Sequence, residues 1–146
     1  ECLEGWLEAC QEKVDDGSYL GIPAPVIINI TDGEPYDGST TAKDRAVTSA
    51  KELLSLSGSD GNVTLFNLHI SDEGVEIVFP GDKNVLSGCP EGELLSSDMS
   101  DEMADAAKVR GIEGVCAGSK CMAVNAKGAT ITTLISFGSG SGMTNH

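Results

Sequence analysis

The chain has 146 residues, with 9 Lys and Arg against 23 Asp and Glu, for a formal charge of −14. Leu, Ile, Val and Phe total 34, enough for one core and too few for a second independent domain. Nucleic acid and anionic membrane surfaces reward Lys and Arg, so this charge argues against both as direct partners and suits cations or basic protein surfaces. The longest uncharged run, Gly128 to His146, has an apolar part too short to span a bilayer, so no transmembrane helix is expected.

The chain opens at Glu1, with no Met and no basic start to an apolar stretch, and no signal peptide is visible. Its first element is under way by Cys2–Leu3, as expected of a piece cut from something longer. Five cysteines, Cys2, Cys10, Cys89, Cys116 and Cys121, form no CxxC pair, and the only histidines are His69 and His146. That spacing does not indicate zinc. A Cys116–Cys121 bridge stays open, with free thiols or small core residues expected for most of the five. The compartment stays open with them.

In chain order, Leu3, Trp6, Leu7, Cys10 and Val14 fall on one face of an amphipathic helix that Asp15-Asp16-Gly17 ends. Trp6 is its expected core anchor. Val26-Ile27-Ile28-Asn29-Ile30 is a β-branched run suited to a central parallel strand covered on both faces. Thr31 to Thr40 is a loop of turn formers. Thr41-Ala-Lys-Asp44 resembles a capping box at the start of a helix whose stripe is Ala42, Ala46, Ala50, Leu53 and Leu54. Gly58 to Gly61 breaks that helix, and Val63 to Ile70 is a second strand. The resulting strand–helix–strand unit predicts two parallel strands, since such crossovers are almost always right-handed.

Further on, Val75 to Phe79 predicts a short strand stopped by Pro80-Gly81, and residues 81–97 read as loop. Ser100 is placed to cap a helix running to Arg110, with Gly111 ending it; Met99 and Met103 would supply its buried side. Lys120 to Val124 predicts the last strand. Ala129 to Phe137 fits either a strand, reached by a hairpin turn at Asn125–Gly128, or a closing helix that packs Ile131, Leu134, Ile135 and Phe137 on the sheet. A Gly/Ser-rich tail, residues 138–146, is expected to be flexible. No internal repeat is present.

Ligands of open parallel sheets bind beyond the carboxyl ends of the strands. The loop there holds Thr31, Asp32, Glu34 and Asp37, three carboxylates within six residues beside Gly33 and Gly38. Clustered hard oxygens suit Mg²⁺, Ca²⁺ or Mn²⁺. The plain alternative is a solvated acidic turn. No register starting at Asp32 supplies both the central Gly and the distal Glu of an EF-hand.

An apolar strand, then Ile30-Thr31-Asp32-Gly33-Glu34-Pro35, then a helix and a strand ending Leu65-Phe66-Asn67-Leu68-His69-Ile70 resembles the second half of a von Willebrand factor type A domain, most closely the bacterial versions. Met122 to Ala126 followed by Leu134 to Phe137 resembles the last strand and closing helix of that family. The match spans most of residues 1–137, and the Thr-Asp-Gly turn is its most specific part. The resemblance implies a Rossmann-like α/β domain, its mostly parallel sheet flanked by helices, with the N-terminal strands missing here. It also implies a metal-ion-dependent adhesion site. That site joins an Asp-x-Ser-x-Ser motif after the first strand, a Thr of a later loop and the Asp of the Thr-Asp-Gly turn.

Only the last element maps onto this chain, at Asp32. Asp37-Gly-Ser39-Thr-Thr41 imitates the first motif but follows the turn instead of preceding it, so it counts as coincidence. The expectation is therefore a protein-binding or adhesion module, not an enzyme. It would bind Mg²⁺ weakly alone, and through the metal an acidic group on a protein partner. A companion polypeptide carrying the missing half, or self-association along the bare strand edge, is expected as well.

Two alternatives compete. One is a structural or scaffolding domain of the same fold without metal. The other is a Mg²⁺-dependent phosphohydrolase with an aspartyl nucleophile, which wants a second Asp two residues on where this chain has Glu34, and a Lys the first loop lacks before Lys43. His69 lies inside a strand and is expected as a packed or hydrogen-bonded residue, not a base. No Gly-rich phosphate cradle with Lys occurs.

Overall fold

The computed structural model describes residues 24–33, 38–58, 61–87 and 95–141. The helix expected over residues 3–14, with Trp6, lies outside the described residues, as do Glu34, Asp37, Cys2, Cys10 and Cys89. The described elements are β1 (Val26–Thr31), α1 (Ala42–Ser55), a hairpin of β2 (Ser57–Gly58) and β3 (Gly61–Asn62), β4 (Thr64–Ile70), β5 (Ile77–Val78), α2 (Lys83–Leu86), α3 (Asp101–Val109), β6 (Met122–Ala126) and α4 (Gly128–Ser141).

The main sheet has four strands in the order β1-β4-β6-β5. β1 and β4 are parallel in unbroken register from Val26↔Thr64 to Thr31↔His69. β6 is parallel to β4, and β5 lies antiparallel to β6 at the far edge. The chain is thus an α/β protein with a mostly parallel mixed sheet flanked by helices. Among the described residues no strand lies on the outer side of β1.

Side chains alternate across the sheet because the strand period is two. Ile27 and Leu65 face one way and join Ala50 and Leu53 of α1, Val63 and Leu95 in one core cluster. Phe66 and Leu68 face the other way, with Val26 and Ile28 packed against them, and meet Ala104 and Ala107 of α3 and Leu134 and Phe137 of α4. Both faces of β1 are therefore covered, which is why its sequence is a near-continuous apolar run. Three phenylalanines centre the second cluster: Phe66, Phe79 and Phe137 have ring centroids 5.4 to 6.1 Å apart, tilted or edge-on, as ring quadrupoles favour.

Local chemistry sets the helix ends. Ser100 accepts a hydrogen bond from Met103 N at 3.2 Å and caps α3 as its position predicts. Gly111, at φ +80°, takes the left-handed conformation after that helix. Met99 is buried and Met103 packs on the core. The capping box expected at Thr41 does not form. Thr41 sits at φ −105° and ψ 3°, and its hydroxyl lies 3.2 Å from Ser39 Oγ, so it offers α1 no side-chain cap.

Other expectations need correcting. Of the two alternatives for Ala129 to Phe137 the structure has the closing helix: α4 starts at Gly128 and closes the second face, so Asn125–Gly128 is no hairpin turn. Its β-branched residues tolerate the helix through tertiary packing, which overrides weak intrinsic preferences. Ile135 stays partly exposed while Leu134 and Phe137 are buried. α4 runs through Ser141, so the flexible tail expected from Gly138 cannot begin there. The loop expected over 81–97 contains the single turn α2.

Gly138 shows why a glycine occupies a helix that packs on a sheet. A Cβ built there would stand 2.9 Å from Ile28 Cδ1 and 3.7 Å from Phe66 Cδ2, so α4 approaches β1 through the missing methyl. Gly128 at the other end of α4 meets nothing within 4 Å. Gly138→Ala is expected to destabilise the fold by about 1–2 kcal/mol through overpacking. Gly128→Ala should stay within about 0.5 kcal/mol of the parent. Urea denaturation of the two variants side by side checks this contrast.

Candidate functional site

β1, β4 and β6 all run the same way, so their carboxyl ends share one edge of the sheet. β1 contributes Thr31, Asp32 and Gly33 there, β4 contributes His69 and Ile70, and β6 contributes Asn125 and Ala126. α1 and α4 both start from this edge.

Thr31 tightens the first turn. Its hydroxyl donates to Gly33 O at 2.9 Å and stands 3.2 Å from Gly33 N. This local side chain-to-backbone turn leaves Asp32 exposed beyond the end of β1. Glu34 and Asp37, the other two carboxylates singled out from the sequence, lie outside the described residues. Among the described residues no group of three or more His, Cys, Asp or Glu is arranged to hold a metal ion. The described part of the loop therefore supplies one carboxylate, where Mg²⁺ requires about six oxygens in near-octahedral array.

His69 is half-buried on β4, opposite Thr31 in register. Its Nδ1 accepts from the backbone N–H of Asn125 at 3.4 Å. His69 is thus a hydrogen-bonded sheet residue, as its place inside the strand suggested.

Sequence reasoning missed the residues around it. Asn125 has φ +54°, a left-handed conformation that Asn tolerates better than most residues. The β4–β6 register shifts between Leu68 and Ile70 at this point. The Asn125 amide then donates from Nδ2 to Val75 O at 3.0 Å. Gly74, at φ +82°, lies so close that a Cβ would stand 2.6 Å from that nitrogen. Asp72-Glu-Gly74 ahead of Val75 was the available signal, a turn with a glycine in its final place. Also unforeseen is an amide pair: Asn29 Nδ2 donates to Asn67 Oδ1 at 2.9 Å across β1 and β4. An Asn inside each of two apolar strands was the signal there.

Glu76 reaches the start of α4. Its Oε1 accepts from Lys127 N at 2.9 Å. That backbone bond, then the Thr130 hydroxyl, hold its carboxyl below the ordinary range. An anion at a helix N-terminus also gains from the helix dipole.

Cys116 and Cys121 are both free thiols and are not bridged. Burial, and then the nearby charge of Asp98, push the Cys121 thiol up to about 12, which keeps it protonated and unreactive at neutral pH. Cys116 is exposed, with Sγ 3.7 Å from Ser119 Oγ. No helix among the described residues is long and apolar enough to cross a membrane.

No family model matches this chain, and no curated protein or solved structure is similar to it at a significant level.

The Glu76 contact generates a pH dependence. A carboxyl whose folded pKa lies below its ordinary value of 4.5 stabilises the fold above that value and loses this contribution as pH falls through the lowered one. Glu76→Gln is expected to lower the thermal midpoint at pH 7 and to narrow the gap from the parent as pH drops below 4.5. Thermal melts between pH 3 and 7 check it.

Proposed function

We propose that this chain is the C-terminal part of a von Willebrand factor type A-like domain and serves as a protein-binding module. Asp32 would be its contribution to a divalent-metal site, Mg²⁺ being the ion that the hard oxygen donors favour, with Ca²⁺ or Mn²⁺ as substitutes. The observation that carries this reading is the placement of Thr31-Asp32-Gly33. The turn ends a parallel strand at the carboxyl edge, is tied by the Thr31 hydroxyl, and presents an exposed carboxylate.

One carboxylate is not a cage. The reading therefore assigns the remaining oxygens to Glu34 and Asp37, or to a companion polypeptide whose strand pairs with the outer side of β1. The bound metal would supply a Lewis-acidic contact for an acidic group on a partner. Asp32 holds the ion, and Thr31 holds Asp32 in place. No residue of this edge is assigned a catalytic role.

A second reading rests on a specific observation. Because no group of three metal-capable side chains occurs among the described residues, the same fold also suits a scaffolding domain that holds no ion. The phosphohydrolase reading gains nothing comparable.

Titration of the chain with Mn²⁺, followed by electron paramagnetic resonance of the free ion, separates the two. The adhesion reading expects a dissociation constant of about 1 mM or weaker. It also expects an increase of roughly tenfold in that constant on Asp32→Ala, a loss of about 1.4 kcal/mol. Binding that Asp32→Ala leaves unchanged, or no binding at all, favours the scaffold.

A further inference from the structure

β1 is the longest edge strand among the described residues and the least protected. Edge strands are usually blunted by charge, Pro or a bulge. Val26–Thr31 contains no charged residue and no Pro, and its register with β4 is unbroken. The opposite edge, β5, is two residues long. α4, the helix packed on β1, is also free of charge over its whole length, Gly128–Ser141. In a chain of net charge −14, these two neighbouring elements make a rim without charge. They also hold two of the four large apolar side chains that stay exposed among the described residues, Ile30 at 41% and Ile135 at 39%.

The charge pattern selects the occupant. A basic partner would seek the acidic loops and gain nothing from this rim. A second copy meets repulsion from every acidic surface and avoids it only where charge is absent. The rim is where two such chains can approach.

Backbone geometry fixes how. Thr64 N donates to Pro25 O, so odd residues of β1 turn their backbone groups to β4 and even residues turn theirs outward. Val26, Ile28 and Ile30 thus present three N–H and three C=O groups away from β4. Two antiparallel copies related by a two-fold axis at Ile28 pair Val26 with Ile30, Ile28 with its own counterpart, and Ile30 with Val26. All twelve groups are then satisfied, and the apolar side chains on the α4 face form one row.

We infer that this chain forms a two-fold dimer through antiparallel β1–β1 pairing centred on Ile28, joining two four-stranded sheets into one of eight strands. This inference does not rest on the metal reading. A companion strand and a second copy would compete for one edge, so the dimer is the form the chain takes without such a companion.

Sedimentation equilibrium of the full chain is expected to give a mass twice 15.1 kDa. Ile30→Lys should weaken the dimer at least roughly tenfold, and Ile135→Lys, on the exposed side of α4, should weaken it with the fold intact by circular dichroism. Hydrogen exchange supplies a readout free of mutation. Amide protection at Val26, Ile28 and Ile30 should rise with protein concentration, while that at Ile27, Asn29 and Thr31 should not. A monomer at all concentrations overturns the inference. So does a dimer that both variants leave intact, or one whose formation leaves exchange at the three even residues unchanged.

Discussion

The parallel pairing of β1 with β4 is the constraint on which the rest of this structure depends. It sets the direction of the crossover through α1, puts Thr31 opposite His69, and divides the apolar side chains between two cores. Parallel pairs are slightly weaker than antiparallel ones, so register needs help from the side chains. The Asn29–Asn67 hydrogen bond supplies it. A slip of one residue would move one amide to the opposite face and leave two half-buried polar groups unpaired, which costs roughly 1–3 kcal/mol for each group. The same slip would send Leu65 and Phe66 into each other's cores. The amide pair and the division of apolar side chains between two cores thus specify the register together.

The strand–helix–strand unit was legible because its signals are local and long. A β-branched run, a helical stripe and a second run each span several residues, and the crossover rule fixes their relation. α4 was ambiguous because Thr130, Ile131, Thr132 and Thr133 favour strands, whereas the decision belongs to Phe137 and Gly138, which fit against Phe66 and Ile28. Burial of a large side chain contributes about 1.5–3 kcal/mol, more than the whole propensity difference at one position. Tertiary packing won over local preference there. The cap at Thr41 failed for the opposite reason, since a nearby hydroxyl at Ser39 competes for the same side chain.

Of the candidate site, the Thr31-Asp32-Gly33 turn and the place of His69 inside a strand were legible. A hydroxyl two residues before a glycine is a local motif, and the sheet rule places it at the right edge. The His69–Asn125–Val75 chain was not legible, because residues 56 and 50 positions apart meet there and no periodicity reports such a meeting. Glu76 at the start of α4, 51 positions from its backbone partner, was hidden for the same reason.

That carboxylate bears on what the edge can bind. The carboxyl edge of a parallel sheet usually attracts anions, because helices begin there and present unpaired N–H groups and a positive dipole end. Here α4 begins with its first free N–H, that of Lys127, already bonded to Glu76, and α1 carries Asp44 in its first turn. A phosphate approaching this edge would meet the chain's own carboxylates, including the exposed Asp32. A cation meets no such competition. The carboxylates at this edge thus oppose the positive helix ends and suit a cation better than an anion.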